Sequence, residues 1–246
     1  VLLQTAMQSL YDFDLLTRTL DDHAPGQGAN VKPLLLVDDE ITVRSAEKML
    51  SERGHPVHMF LRDYPARGRN DLPSGRFGMS LHRLAREIAR RRIGIAFSSG
   101  GAKGLAHIGV IQVLEENGIE IDAIAGASMG AYVGSIWAYG LDGGALERIA
   151  REHESRWGLW GLVDPVLPPR QGFVRTRRVV RRLRRSIGTA QFTDLLRPLR
   201  VVTTHLDSLE RVVFSSGDVA EAVAASIAIP GVVVPVTLNG QTYIDG

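Results

Sequence analysis

Ser128 sits in the run Gly126-Ala127-Ser128-Met129-Gly130, a G-x-S-x-G turn between an apolar stretch and a helix-like one. Small residues on both sides let the chain turn sharply enough to push a serine hydroxyl out at a strand-to-helix junction. Upstream, Ser99-Gly100-Gly101-Ala102-Lys103-Gly104 is a second glycine-rich turn in the same kind of setting. A serine hydroxyl is a poor nucleophile unless a base takes its proton, and acyl transfer needs donors aimed at the developing oxyanion. Ser128 is therefore the candidate nucleophile. The N–H groups of Gly100, Gly101 and Met129 are the candidate oxyanion donors, and Lys103 lends positive potential nearby. Gly104, Gly126 and Gly130 are supporting positions. Together these residues imply a serine hydrolase.

The base is less plain. Among seven histidines, His205 suits an ordinary triad, since Ser128, Asp194 and His205 follow one another in the order of an α/β-hydrolase. His205 nevertheless falls inside a strand-like run, where a lone histidine is more often structural. His107, on the helix after the first turn, reads as a packed histidine. Asp245 is the other candidate: Asn239-Gly240 is a strong two-residue hairpin signal, and the hairpin brings Asp245 to a strand end, where it can meet a site built from other strand ends. A different chemistry has to be weighed too. Strand, glycine turn, helix and Asp122 about twenty residues on imitate a dinucleotide-binding fingerprint. Against it, Ser99 replaces the leading glycine, Lys103 lies within the turn, and Asp122 precedes the second strand-like run.

The elements that must position these groups can be read from periodicity. Strand 93–97, a glycine turn, helix 105–117, strand 121–125, the Ser128 elbow and helix 129–139 alternate as in an α/β domain with a mostly parallel, covered sheet. Asp142 can cap a helix over 143–156 carrying the pairs Glu147/Arg151 and Arg148/Glu152. Strands follow over 199–204 and 212–215, then a helix over 219–227 capped by Asp218, and the hairpin strands 232–238 and 241–244. Between them lies an irregular apolar stretch with Trp157 and Trp160, then a helix-like segment from Arg175 to Arg185 with seven arginines. Val180, Leu183 and Ile187 form its core stripe. Tryptophans beside so many guanidinium groups can also seat a protein on an anionic membrane surface.

The first third is organised differently. The spacing of Leu2, Leu3, Met7, Leu10, Phe13, Leu16 and Leu20 predicts an amphipathic helix over 1–20, followed by a linker to residue 32. Residues 33–79 read as a small βαβ-like segment, with strands 33–37 and 57–61 around a helix over 41–53, and then a loop. The run Leu35–Glu40 resembles the opening of a response-regulator receiver domain, but the later strands of such a domain are missing; Asp38 and Asp39 fit better as an acidic turn ahead of a helix N-terminus. Ser80 is the expected cap of a helix whose Leu81, Leu84 and Ile88 face inward and whose Arg83, Arg86, Arg90, Arg91 and Arg92 face water. The expected division is thus 1–32, 33–79 and 80–246.

Composition bounds the rest. With 246 residues, 44% of them hydrophobic, the chain can bury one substantial core and a small second unit. A net charge of +2 gives little bulk attraction to nucleic acid, and the lack of cysteine removes disulfides and thiolate metal sites. No apolar run approaches the roughly 20 residues that span a bilayer.

Four ordered strings, Ser99-Gly100-Gly101-Ala102-Lys103-Gly104, Gly126-Ala127-Ser128-Met129-Gly130, Ala225-Ser226-Ile227-Ala228-Ile229-Pro230-Gly231 and Asp245-Gly246, resemble in order and spacing those of patatin-like phospholipases, in the bacterial and neuropathy-target-esterase-like branch. The resemblance covers residues 80–246. It implies a three-layer α/β/α fold with a mostly parallel central sheet, preceded here by a small N-terminal α/β segment. It also implies a Ser–Asp dyad in which Ser128 attacks an ester carbonyl, Asp245 acts as base without a histidine, and water releases the fatty acid. The implied substrate is a phospholipid or lysophospholipid, with no cofactor and no metal, at a cytoplasmic or peripheral inner-membrane location. Membrane contact is expected through Trp157, Trp160 and the Arg175 to Arg185 helix; a non-catalytic membrane-interaction module is the remaining alternative. Two departures stand out. Ser99 replaces the first glycine of the family turn, and the family's Asp-Gly-Gly/Ala motif is cut after Gly246, as expected of a piece missing residues at both ends.

Overall fold

The computed structural model describes residues 76–152 and 172–246 throughout, and before them Leu2–Gln4, Thr19, Asp22, His23, Leu34–Val37 and Met59–Arg62. The chain divides into two compact units, Val1–Arg91 and Arg92–Gly246.

In the first unit, strands β1 (Leu2–Gln4), β2 (Leu34–Val37) and β3 (Met59–Arg62) form a parallel sheet in that order. Parallel β2 and β3 agree with the βαβ-like reading; the helix expected between them and the Asp38-Asp39 turn lie outside the described residues. At its start the expected helix over 1–20 is corrected, since Leu2–Gln4 is a strand, while Thr19 is helical. Two adjacent leucines fit either period, and pairing with Leu34, Leu35 and Leu36 decides for the strand. Helix α1 (Arg76–Ile88) starts a turn earlier than expected, because nothing in Phe77-Gly78-Met79 breaks it, so Ser80 is a buried interior residue and no cap. The face assignment changes as well: Arg83 is buried, whereas Ile88 is 76% exposed. An arginine can bury its long stem while its head finds a polar partner.

The second unit carries the site. Among the described residues its strands are β4 (Gly94–Phe97), β5 (Ala123–Ala127), β6 (Leu199–His205), β7 (Arg211–Phe214), β8 (Val236–Leu238) and β9 (Gln241–Asp245), and its helices are α2 (Ala106–Glu116), α3 (Met129–Tyr139), α4 (Gly143–Arg151), α5 (Arg177–Ile187) and α6 (Val219–Ser226). β4, β5 and β6 are parallel, whereas β7 and β9 run antiparallel to β6, and β8 pairs with β9. This is the α/β class that the alternating patterns predict, a mixed sheet with helices packed on it, consistent with a three-layer α/β/α fold.

The core lies between α3 and the sheet. Phe97, Ile124, Leu199 and Val201 are buried on one sheet face, and Val133, Ile136 and Trp137 are buried on α3. Each such side chain contributes about 1.5–3 kcal/mol when fully buried. Gly134 lets the helix lie this close, since a Cβ there would stand 3.2 Å from Ile124 and 3.3 Å from Phe97. Glu115 then ties three helices together: it accepts the Trp137 indole N–H and the Gly143 amide, each at 2.8 Å. Asp142 caps α4 by accepting from Ala145, as expected, and Asp218 caps α6 by accepting from Glu221. Glu147 pairs with Arg151, but Glu152 accepts from Arg182 on α5 instead of pairing with Arg148. A partner from a neighbouring helix wins over the local one.

Candidate active site

β4 and β5 run in register, Phe97 beside Gly126, so the turns that follow them emerge at the same end of the sheet. Ser128 is 3% exposed and has φ 54° and ψ −121°. A positive φ is uncommon for a residue with a side chain, and its strain is held by neighbours that fit nothing else. At Gly126 a Cβ would lie 2.6 Å from the Gly130 carbonyl; at Gly130 it would run into the Phe97 carbonyl and come within 2.7 Å of that of Ser98. The small residues of G-x-S-x-G are therefore required by the close approach of α3 to both strands.

The glycine-rich turn folds as a 3-10 turn over Gly101–Leu105. Gly101 has φ 53°, and Lys103 donates its amide to the Gly100 carbonyl at 3.1 Å. Gly104 is buried against Met129, where an added Cβ would sit 2.7 Å from the Met129 Cβ. That contact presses the first turn onto the elbow. Gly101 and Met129 each open a helical turn, positions whose N–H groups have no intrahelical acceptor. Gly100, Gly101 and Lys103 are exposed.

Asp245 arrives from the far end of the chain. The Ser128 hydroxyl donates to Asp245 Oδ2 at 2.7 Å across 117 positions of sequence. The sheet explains how. Along β6, the Pro198 carbonyl accepts from Ile124 of β5 and the Leu206 amide donates to Thr242 of β9, whereas the His205 amide donates to Glu210 on the β7 side. Successive residues of a strand address opposite edges, so the even-numbered positions assign β5 and β9 to the same edge of β6. They run toward each other along it: β5 ends with Ala127 beside Val202, and β9 ends with Asp245 beside Thr203. Ser128 and Asp245 are the residues that meet where the two strands stop. The Asn239-Gly240 turn sets this register, with both residues at positive φ, 49° and 77°, as a two-residue hairpin of the primed type requires.

Two further contacts hold the pair. The Asp245 amide donates to the Ala228 carbonyl at 2.9 Å, and the Ser128 amide donates to the Ser226 hydroxyl at 2.8 Å, which itself donates to the Val202 carbonyl at 2.6 Å. Ser226 is fully buried. Sequence reasoning gave it no role, although it stands in one of the four quoted strings; the signal was there but only the fold shows what it touches. Burial pushes the Asp245 carboxyl above the ordinary aspartate range, and the hydrogen bond from Ser128 offsets part of the rise. A carboxylate held this way is a better proton acceptor than a solvated one.

The competing residues go elsewhere. Both His205 ring nitrogens are engaged, one with Ser208 at 3.1 Å and the other with Gln241 at 2.7 Å. Asp194 accepts the Gln191 amide and closes its own short turn. Asp122 is fully buried and accepts the Ile93 amide at 2.9 Å, at the start of β5, the sheet end away from the glycine turns, so it is not placed to hold a ribose beside them. His107 is half-buried, its ring 4.9 Å from that of Phe97 and its Nε2 3.0 Å from the Ser98 carbonyl, bracing the strand end from which the first turn leaves. Trp157 and Trp160 lie outside the described residues. No helix among the described residues is long and apolar enough to cross a membrane.

The family model described as patatin-like phospholipase matches residues 95–246. A lysophospholipase NTE1 of Phaeosphaeria nodorum is 27% identical over 201 residues, covering 81% of this chain and 13% of that protein. An uncharacterized NTE family protein of Mycobacterium tuberculosis is 38% identical over 157 residues, covering 63% of this chain and 42% of that one. Among solved structures, VipD from Legionella pneumophila aligns with a TM-score of 0.45 at 18% identity, over 63% of this chain and 46% of that one. The chain therefore spans less than half the length of these relatives.

Proposed function

The chain belongs to the patatin-like phospholipase family, and from that premise we propose that it is a lipid acyl hydrolase, cleaving an ester of a phospholipid or lysophospholipid through a Ser128–Asp245 dyad. The hydrogen bond between Ser128 and Asp245 carries this reading. Ser128 Oγ attacks the acyl carbonyl carbon while its proton passes to Asp245 Oδ2. The carbonyl oxygen takes up the negative charge, facing the N–H groups of Gly100, Gly101 and Met129, with Lys103 adding positive potential. Collapse of the tetrahedral intermediate breaks the ester bond, and protonated Asp245 returns its proton to the leaving alcohol. Water then repeats the sequence on the acyl-enzyme: Asp245 takes its proton, the fatty acid departs, and Ser128 is regenerated.

Fluorophosphonate labelling tests it directly. The expected result is covalent label on Ser128, lost in Ser128→Ala, with hydrolysis of a short-chain p-nitrophenyl ester reduced by about a thousandfold or more in Asp245→Asn. His205→Ala keeps most of the activity. A dead His205→Ala beside an active Asp245→Asn would overturn the dyad in favour of the Ser128–Asp194–His205 triad.

A further inference from the structure

The segment before α5 hydrogen-bonds to the loop that carries Pro230. Phe173 and Val174 donate their amides to the Val232 carbonyl at 2.9 and 3.1 Å, and Val232 donates to that of Ile229 at 3.1 Å. The side chains on this small bonded platform are not buried: Phe173 is 61% exposed, Val232 49% and Ile229 43%. Apolar side chains clustered on a surface, unlike scattered ones, mark a place where something docks. The cluster borders the reacting pair, since Ile229 follows Ala228, whose carbonyl holds the Asp245 amide.

The same segment leads into the most basic element of the chain. Residues 172–188 contain seven arginines and no acidic residue. Leu183 and Ile187 bury one side of α5. Arg177, Arg181 and Arg185, four residues apart, form an exposed stripe on the other side, and Arg175 is exposed ahead of them. Among the described residues, the carboxylates paired with α5 are held by other arginines, Glu152 by Arg182 and Asp218 by Arg184. What remains toward solvent is a row of guanidinium groups continuing from an apolar knob. A protein core has no use for that combination. An anionic bilayer does, offering phosphates at its surface and hydrocarbon just beneath.

We propose that the Phe173–Ile229–Val232 knob and the Arg177–Arg181–Arg185 stripe form one docking surface for an anionic phospholipid bilayer, with the knob entering the headgroup layer beside the Ser128–Asp245 pair. This rests on the lipid-hydrolase reading for its purpose but not for its measurement. Binding of the Ser128→Ala protein to phosphatidylcholine vesicles, with and without phosphatidylglycerol, reads docking without turnover. Vesicles containing phosphatidylglycerol are expected to be bound at least tenfold more tightly, and the preference to shrink at high salt. At roughly fivefold per basic residue near such a surface, Arg177→Ala/Arg181→Ala/Arg185→Ala should weaken binding on the order of a hundredfold. Phe173→Ala/Val232→Ala should weaken it for both vesicle types. In the Ser128 background both sets are expected to leave fluorophosphonate labelling and soluble-ester hydrolysis intact, which checks their folding. Equal binding to both vesicle types, no binding at all, or unchanged binding by either variant set overturns the surface. An inert Ser128 in a protein that still binds vesicles this way would overturn the hydrolase reading alone.

Discussion

Ser226 and Asp245 are the residues through which the site makes itself testable. Ser226 is the acceptor for the Ser128 amide and a donor to Val202, so Ser226→Ala leaves two buried backbone groups short of a partner. A loss of about 1–3 kcal/mol is expected in denaturant unfolding. Labelling of Ser128 should slow by more than that loss alone explains, because the strained serine is no longer tethered. Asp245 has the opposite stability sign. Its carboxyl is raised by burial, so between the ordinary aspartate value and the raised one the folded state holds a proton that the unfolded state has released. Its contribution to stability is therefore lost as pH rises through that window, and at neutral pH the charged group is a cost. Asp245→Asn is expected to melt at a higher temperature than the native protein at pH 7, with the difference vanishing in acid, while hydrolysis is lost. The native pH–rate profile should fall on its acid side at a pH above that of a free aspartate. A melting temperature lowered at pH 7 would contradict the assignment.

Among elements, the β8–β9 hairpin and the elbow position the site, whereas the cap of α4 only stabilises. Gly240 has φ 77°, and replacing it with alanine should cost about 1 kcal/mol. Since β9 delivers Asp245, ester hydrolysis is expected to fall well beyond what that change in stability predicts. Asp142→Ala is the control: loss of its bond to Ala145 should also cost about 1 kcal/mol, yet leave hydrolysis per folded molecule unchanged. Comparing the two variants by unfolding curves and turnover separates positioning from stability. Gly130→Ala is more severe, since its Cβ meets the carbonyls of Phe97 and Ser98 and backbone must move. Little folded protein is expected, and size-exclusion chromatography would show it.

For the molecule as a whole, the consequence lies in where the core is. Among the described residues, every member of the main buried cluster, from Phe97 to Val223, belongs to the unit Arg92–Gly246. A protein comprising residues 92–246 is therefore expected to fold by itself, with one cooperative thermal transition and Ser128 still open to fluorophosphonate. A non-cooperative melt would mean that the first unit supplies part of the core.

The sequence by itself determined the things that local chemistry controls. Helix α3 begins and ends where the elbow and Gly140 put it, the Asp142 and Asp218 caps are made, and Asn239-Gly240 turns the hairpin, because each depends on side chains within a few residues. Ser128 was legible for the same reason. Its partner was not: composition and spacing left His205 and Asp245 both open, and only a family resemblance favoured the aspartate. Tertiary structure decided where Asp245 lies, because β5 and β9 share one edge of β6 and stop facing each other, a register fixed by hydrogen bonds between strands that are far apart in the chain. It likewise turned Leu2–Gln4 into a strand, buried Arg83, and gave Glu152 to Arg182. For the strand and for Glu152 a distant partner outweighed the local pattern, and no local pattern can name a partner that only the folded chain brings near.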